Sequence, residues 1–252
     1  MSNKLPIGFI GHGSPMNIIS DNPYTRSIYN IGNNLPKPKA ILVITAHWMS
    51  DGVTAITTAS NPHLIYDFYG FPEELYKIKY DCPGYPEIED ILKGLNIVPS
   101  RDYGLDHGVW AIMKFMYPKA DIPVVALSLD MAQPAEYHYN LGKSMRFLRE
   151  KGVLVLGSGN LVHNLFKADL RGDSEPYNWA IDFEREVIES LKRKDFEDLI
   201  KYGDMKTLSI PTKDHYLPLL YILGMVDEDD EFEIIYSGIQ NKSISQLSFL
   251  YK

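Results

Sequence analysis

The chain has 252 residues, 45% of them hydrophobic, and a formal net charge of −8. That length fits one large domain or two small ones, and the apolar share excludes a disordered chain. The acidic balance argues against nucleic acid as a partner, since phosphate binding needs clustered Lys and Arg; Arg185, Lys192, Arg193 and Lys194 lie among acidic residues and read as a solvated helix face.

The N-terminal MSNKLPIGFIGHG lacks the long apolar run of a secretion signal, and no later stretch approaches the roughly 20 apolar residues of a membrane span. The cytoplasm is the expected location. The first strand is expected at Pro6 to Ile10 and the second at Ala40 to Ala46. Cys82, the single cysteine, rules out an intramolecular disulfide and a cysteine-based zinc finger, and it reads as a loop residue without an activating partner. Helical spacing then covers Pro86 to Leu95 and Gly108 to Met116, and a third strand runs from Ile122 to Leu129. A longer helix spans Pro134 to Lys151, with Leu141, Met145 and Leu148 on one side and Gly152 as its C-terminal stop. Val153 to Leu156 is a fourth strand, and Trp179 to Arg193 is a helix with Ile181, Val187, Ile188 and Leu191 as its stripe.

The strand runs do not alternate, which suits strands buried on both faces. Strand, loop and helix repeat in that order. The expected architecture is therefore α/β: a single domain, residues 1–252, with a central, largely parallel or mixed sheet flanked by helices. Glu231 to Gly238 and Ile244 to Tyr251 alternate around a turn-like GIQNKS, and read as a terminal hairpin or as strands added at an edge.

The seven histidines carry most of the functional information. His12 follows the first strand in GFIGHGSP, His47 follows the second in ILVITAHW, and His163 follows another in VLVLGSGNLVHN. Ligands collect at the carboxyl ends of strands in open α/β sheets, so three histidines at three such ends can converge. The GSGN turn is also open to an anion-cradling reading, although it matches neither a P-loop nor a dinucleotide fingerprint. His215, in PTKDHYLPLLY, sits near a helix start, with Thr212 or Asp214 as cap and Pro218 in the first turn. Asp214 and His215 can each ligate a metal. His107, in YGLDHGVW, has a neighbouring carboxylate that can fix its tautomer. His63 and His138 have no comparable setting.

GHGSPMN, TAHW, YDFYGFPEELY, YGLDHGVW, GSGNLVHN and PTKDHYLPLLY occur in this order and cover nearly the whole chain. Together they resemble the LigB-type (class III) extradiol dioxygenases, most closely their 4,5-DOPA extradiol group. The resemblance implies a mononuclear non-haem metal site that opens a catechol ring with O2, giving a muconic semialdehyde-type product. It implies His12, His47 and His215 as metal ligands. His163 matches a histidine beside the metal that serves as ligand or as acid/base, and His107 matches one that assists oxygen activation or proton transfer. The protocatechuate branch has glutamate as third ligand, and His215 departs from that. An all-histidine site suits Zn as well as the Fe(II) expected for catalysis. Tyr66, Phe68, Tyr69 and Phe71 are candidate walls for an aromatic substrate. A zinc-dependent hydrolase on the same fold, or a non-enzymatic binding protein like the related Memo proteins, are the competing readings. The sequence leaves the oligomeric state open.

Overall fold

The structure, a computed structural model, describes residues 4–170 and 174–252. Met1 to Asn3, the start of the segment read for a secretion signal, lie outside the described residues. The strands in chain order are β1 (Ile7–Gly11), β2 (Ala40–Ser50), β3 (Thr54–Thr57), β4 (Ile97–Ser100), β5 (Val124–Asp130), β6 (Val153–Gly159), β7 (Phe232–Tyr236), β8 (Ile239–Gln240), β9 (Ile244–Ser245) and β10 (Ser248–Tyr251). The helices are α1 (Pro23–Asn34), α2 (Ile88–Ile91), α3 (His107–Met116), α4 (Ala135–Met145), α5 (Asn178–Arg193), α6 (Glu197–Tyr202) and α7 (Leu217–Met225).

One sheet of eight strands runs in the order β4-β3-β5-β2-β6-β1-β10-β7, so strands from both ends of the chain build a single domain. Its centre, β5-β2-β6-β1, is parallel, and β10 and β7 continue it antiparallel at one edge. The expected mixed α/β sheet and the edge strands are therefore present. Apolar side chains of the central strands feed two cores. Leu42, Ile44, Val155 and Leu127 pack on one face with α4 and α7, while Ile41, Val43, Leu154 and Leu156 pack on the other with α1 and α3. Burial on both faces is why those runs show no alternation. No helix of the described residues is long and apolar enough to cross a membrane.

Two expected helices are shorter than their patterns. The one read over Pro86 to Leu95 contracts to α2, because Gly94 adopts a left-handed φ of +97° and the chain leaves to form β4 beside β3. The one read over Pro134 to Lys151 ends as α4 at Met145 and tightens into a 3-10 turn at Arg146–Arg149. That tightening aims Arg149 inward, where its guanidinium grips Asp230 through two bonds of 2.6 and 2.8 Å.

His138 lies inside α4, fully buried, with Nδ1 3.1 Å from the Tyr221 hydroxyl of α7. Burial, and then the charge of Lys213, lower its pKa to about 4 from an ordinary 6.5. Between those values the unfolded chain binds the proton and the folded protein does not, so stability falls as pH drops from 6.5 to 4. The expected loss is about 2–3 kcal/mol by pH 4. Denaturant titrations across this range measure it, and H138Q should lose this part of the slope.

Candidate metal centre

Strand register brings the carboxyl ends of β1, β6 and β2 level. Gly11 lies opposite Gly159, and Thr45 opposite Ser158. His12 is the first residue past β1. His47 lies within β2 rather than after it. From Ile44 to Met49 the chain takes five steps while β5 takes two, and this bulge swings His47 out of the ladder. His215 arrives on the segment leading into α7. Its carbonyl accepts the Asn160 N–H at 2.9 Å, just beyond β6.

The glycines of GSGN serve that docking. A Cβ on Gly159 would stand 2.1 Å from the His215 carbonyl oxygen, and one on Gly157 would stand 2.7 Å from that of Pro218. Only hydrogen lets the backbones approach so closely. Ser158, between them, bonds on the opposite side to His12 and Gly108. Pro218 occupies the first turn of α7 as expected, but neither Thr212 nor Asp214 caps it; Tyr216 holds the cap position with no side-chain capping bond, its hydroxyl donating instead to the Leu199 carbonyl. Asp214 Oδ2 instead stands 2.5 Å from His215 Nδ1.

One ring nitrogen from each of His12, His47 and His215 falls within 4.8 Å of the others. The hydrogen bonds identify which nitrogen. The Ser158 hydroxyl donates to the Gly108 carbonyl at 2.6 Å, so it accepts from His12 Nδ1 at 3.0 Å. His12 therefore carries its proton on Nδ1 and presents the Nε2 lone pair. His215 does the same through Asp214. His47 Nδ1 stands 2.9 Å from Asp67 Oδ2 and 3.4 Å from Asp106 Oδ1, close in charge although not aligned as a hydrogen bond. The Nε2 atoms of His47 and His215 are then 3.3 Å apart. Two lone pairs cannot face each other at that distance without a proton or a cation between them. A divalent ion fits this donor set, since held Nδ1–H groups and convergent Nε2 atoms are what a histidine site offers.

Burial, reinforced by the neighbouring imidazoles, holds His12 well below the usual histidine range. Burial likewise lowers His215 and outweighs Asp214. For His47 burial opposes the charge, but Asp106 and Asp67 prevail and raise it to about 10. Burial alone would raise Asp67, yet its bond to His107 and the nearby His47 ring hold it far below the usual carboxylate range.

His107, the first residue of α3, points both its backbone N–H and its Nδ1 at Asp67 Oδ1, at 2.8 and 2.9 Å. Its ring centroid is 4.2 Å from that of His47 and 5.7 Å from that of His12. The carboxylate expected to fix its tautomer was the adjacent Asp106. That residue turns instead to Thr45 at 2.9 Å, Tyr103 at 3.3 Å and His47, because as the residue preceding α3 its side chain points back toward β2. His163 stacks on His215, centroids 3.5 Å apart and planes at 10°. It groups with Asp214 and His215 rather than with His12 and His47. Burial, then the adjacent His215, lower its pKa to about 2, so it stays neutral.

Of the aromatic candidates, Phe68 sets its edge against His107 at 5.4 Å. Tyr66 and Phe71 pack into the core around Trp110 and Phe68, and Tyr69 is 91% exposed. His63 is exposed and joins none of these groups, and Cys82 is buried with its thiol pushed up to about 12 by burial. Sequence reasoning missed Asp67 although it sits inside the quoted YDFYGFP; its aromatic neighbours drew the reading.

Residues 9–251 match the model of the family described as the catalytic LigB subunit of aromatic ring-opening dioxygenase. A 4,5-DOPA dioxygenase extradiol of Escherichia coli K12 is 42% identical over 98% of this chain and 94% of its own length. One from Beta vulgaris is 34% identical, covering 96% and 95%. The crystal structure of an uncharacterized Escherichia coli K12 protein, 38% identical, superimposes with a TM-score of 0.85 over 99% of this chain and all of that one. With family model, relatives and sheet architecture spanning its length, the chain belongs to the LigB family of aromatic ring-opening dioxygenases.

Proposed function

We propose that residues 1–252 form one catalytic unit, a metal-dependent extradiol dioxygenase that opens a DOPA-like catechol with O2 to a muconic semialdehyde-type product. The observation that carries this is the convergence of three imidazole Nε2 atoms whose Nδ1 atoms all face oxygen partners. His12, His47 and His215 would hold one divalent ion, Fe(II) for turnover, with Zn(II) able to occupy the same nitrogens. When bound, the iron supplies open positions for the catechol oxygens and O2 and a path for electron density between them.

The remaining residues manage protons and orientation. His163, stacked on His215, would take the proton of a catechol hydroxyl. His107 donates Nδ1–H to Asp67, which leaves its Nε2 free to hold a second proton. Phe68 braces the His107 ring. This assignment makes His163 and His107 the acid/base pair and leaves His163 off the ligand set. A reduced iron site accords with the cytoplasm as location.

Asp67 serves two histidines with one carboxylate. D67N keeps the shape but puts an amide donor against Nδ1–H groups, so one ring must change tautomer. The expected cost is 10–100-fold in metal affinity, read by chelator competition, with the fold retained because the side chain is already 24% exposed.

Anaerobic loading with Fe(II), followed by an oxygen electrode and a spectral screen of catechols, tests the function. Oxygen uptake matched by a yellow ring-opened product is expected with iron and not with zinc. No uptake from any catechol, with iron verified in the site, would overturn the reading in favour of redox-inert or non-enzymatic alternatives.

A further inference from the structure

Ala180, Glu184, Val187 and Leu191 share the buried face of α5. Glu184 is the exception on that apolar stripe. It is 5% exposed, and a carboxylate so placed costs stability unless its oxygens are bonded. Two serine hydroxyls bond them: Ser237 Oγ donates to Oε1 at 2.6 Å, and Ser245 Oγ donates to Oε2 at 2.5 Å. The proton chemistry assigned above makes no use of this buried acid.

The two serines stand at the base of the β8–β9 hairpin, which pairs Ile239 with Ser245 and Gln240 with Ile244 and forms a sheet of its own. Strands of two residues each are too short to hold their shape unaided. Backbone bonds from Asp169 and Tyr177 hold the turn at Asn241 and Lys242, and Glu184 ties the base, one oxygen to each arm. The chain leaving β6 is then laid along β9. The Ser245 N–H donates to the Val162 carbonyl at 2.9 Å, Asn160 Nδ2 to the Ser245 carbonyl at 2.7 Å, and the Asn164 N–H to the Ser243 carbonyl at 3.1 Å. His163 itself faces Ile244 in an antiparallel bridge, and its own N–H donates to the Ser209 carbonyl. Ser245 is thus bonded both to the segment that carries His163 and to Glu184.

We infer that Glu184 is a positioning residue for His163: by clamping both arms of the hairpin it fixes β9, and β9 fixes the segment that stacks His163 on His215. The carboxylate acts through Ser245 and the backbone of β9. Its consequence for turnover rests on the acid/base role given to His163 above.

E184M tests it. Methionine keeps the length of the side chain and suits an apolar stripe, but it offers the serines no carboxylate oxygen. Crystals of the zinc-loaded variant should show the His163 ring turned off the His215 stack, with His12, His47 and His215 in place. Zinc affinity should stay within about threefold, because Asp214 and α7 still hold His215. In the iron-loaded variant kcat with a catechol should fall about tenfold or more, while KM for O2 stays within about twofold. E184Q, which keeps one oxygen for one serine, should give the same pattern in smaller degree and covers the case in which E184M fails to fold. His163 still stacked on His215 in both variants overturns the proposal, whatever the rates. A displaced His163 with kcat unchanged upholds the positioning and overturns the acid/base role of His163. A wild type that opens no catechol ring overturns the functional reading, while the crystals still decide what holds His163.

Discussion

H12A protein folds normally, binds divalent metal more than about 100-fold more weakly than the parent, and opens no catechol ring: that is the expected result of removing one of three ligands, beyond the 10–100-fold cost of losing an outer partner. His12 is the cleanest of the three to remove. Among the described residues its one side-chain hydrogen-bond partner is Ser158, which keeps its bond to the Gly108 carbonyl when the imidazole is gone. His47 is a poorer choice, since removing it leaves Asp106, fully buried, with only Thr45 and Tyr103. Isothermal titration with Zn(II), melting curves of the metal-free proteins and oxygen uptake read the three parts separately. H12A that binds metal like the parent removes His12 from the ligand set.

R149M is expected to lose about 3–5 kcal/mol of stability with metal affinity unchanged. Arg149 has a side chain 1% exposed and pairs with Asp230, whose side chain is 0% exposed. It also donates to the carbonyls of Leu5 and Met225 at 2.8 and 3.1 Å. Methionine fills the volume but strips those carbonyls of their donor and leaves Asp230 to Lys4 and the Asp227 N–H. A chain of this length shifts about 2–4 °C per kcal/mol, so a melting point lower by roughly 10 °C is expected. Pairing R149M with D230L should recover part of the loss, because two apolar side chains no longer strand a buried charge. The network ties the chain ahead of β1 to the ends of α4 and α7 at the amino edge of the sheet, while the histidines gather at its carboxyl edge. Stability and chemistry can therefore be perturbed independently.

The central strands were legible because burial on both faces leaves unbroken apolar runs, and the histidines were legible because three of them follow such runs. The contents of the surrounding layer were not. Asp67 and Ser158 reach their imidazoles only through the register of strands and a long loop, and no spacing in the chain records that. Asp106 misled because adjacency to His107 concealed a side chain aimed at His47. Strands β3 and β4 have four residues each and half-exposed positions, too short and mixed for a pattern. Helix α1 left a trace that went unread, with Asn22 and Thr25 forming a reciprocal cap around Pro23. Arg149 falls within the helix expected over Pro134 to Lys151; only the 3-10 turn that follows α4 carries it inside.

The most direct test of the metal centre is anomalous diffraction from crystals of the protein loaded anaerobically with iron. One iron peak bonded by Nε2 of His12, His47 and His215, with Asp67 and Asp214 still on the Nδ1 side of their rings, is the predicted result. Iron bound elsewhere, or held through those carboxylates with the three imidazoles turned aside, would contradict it.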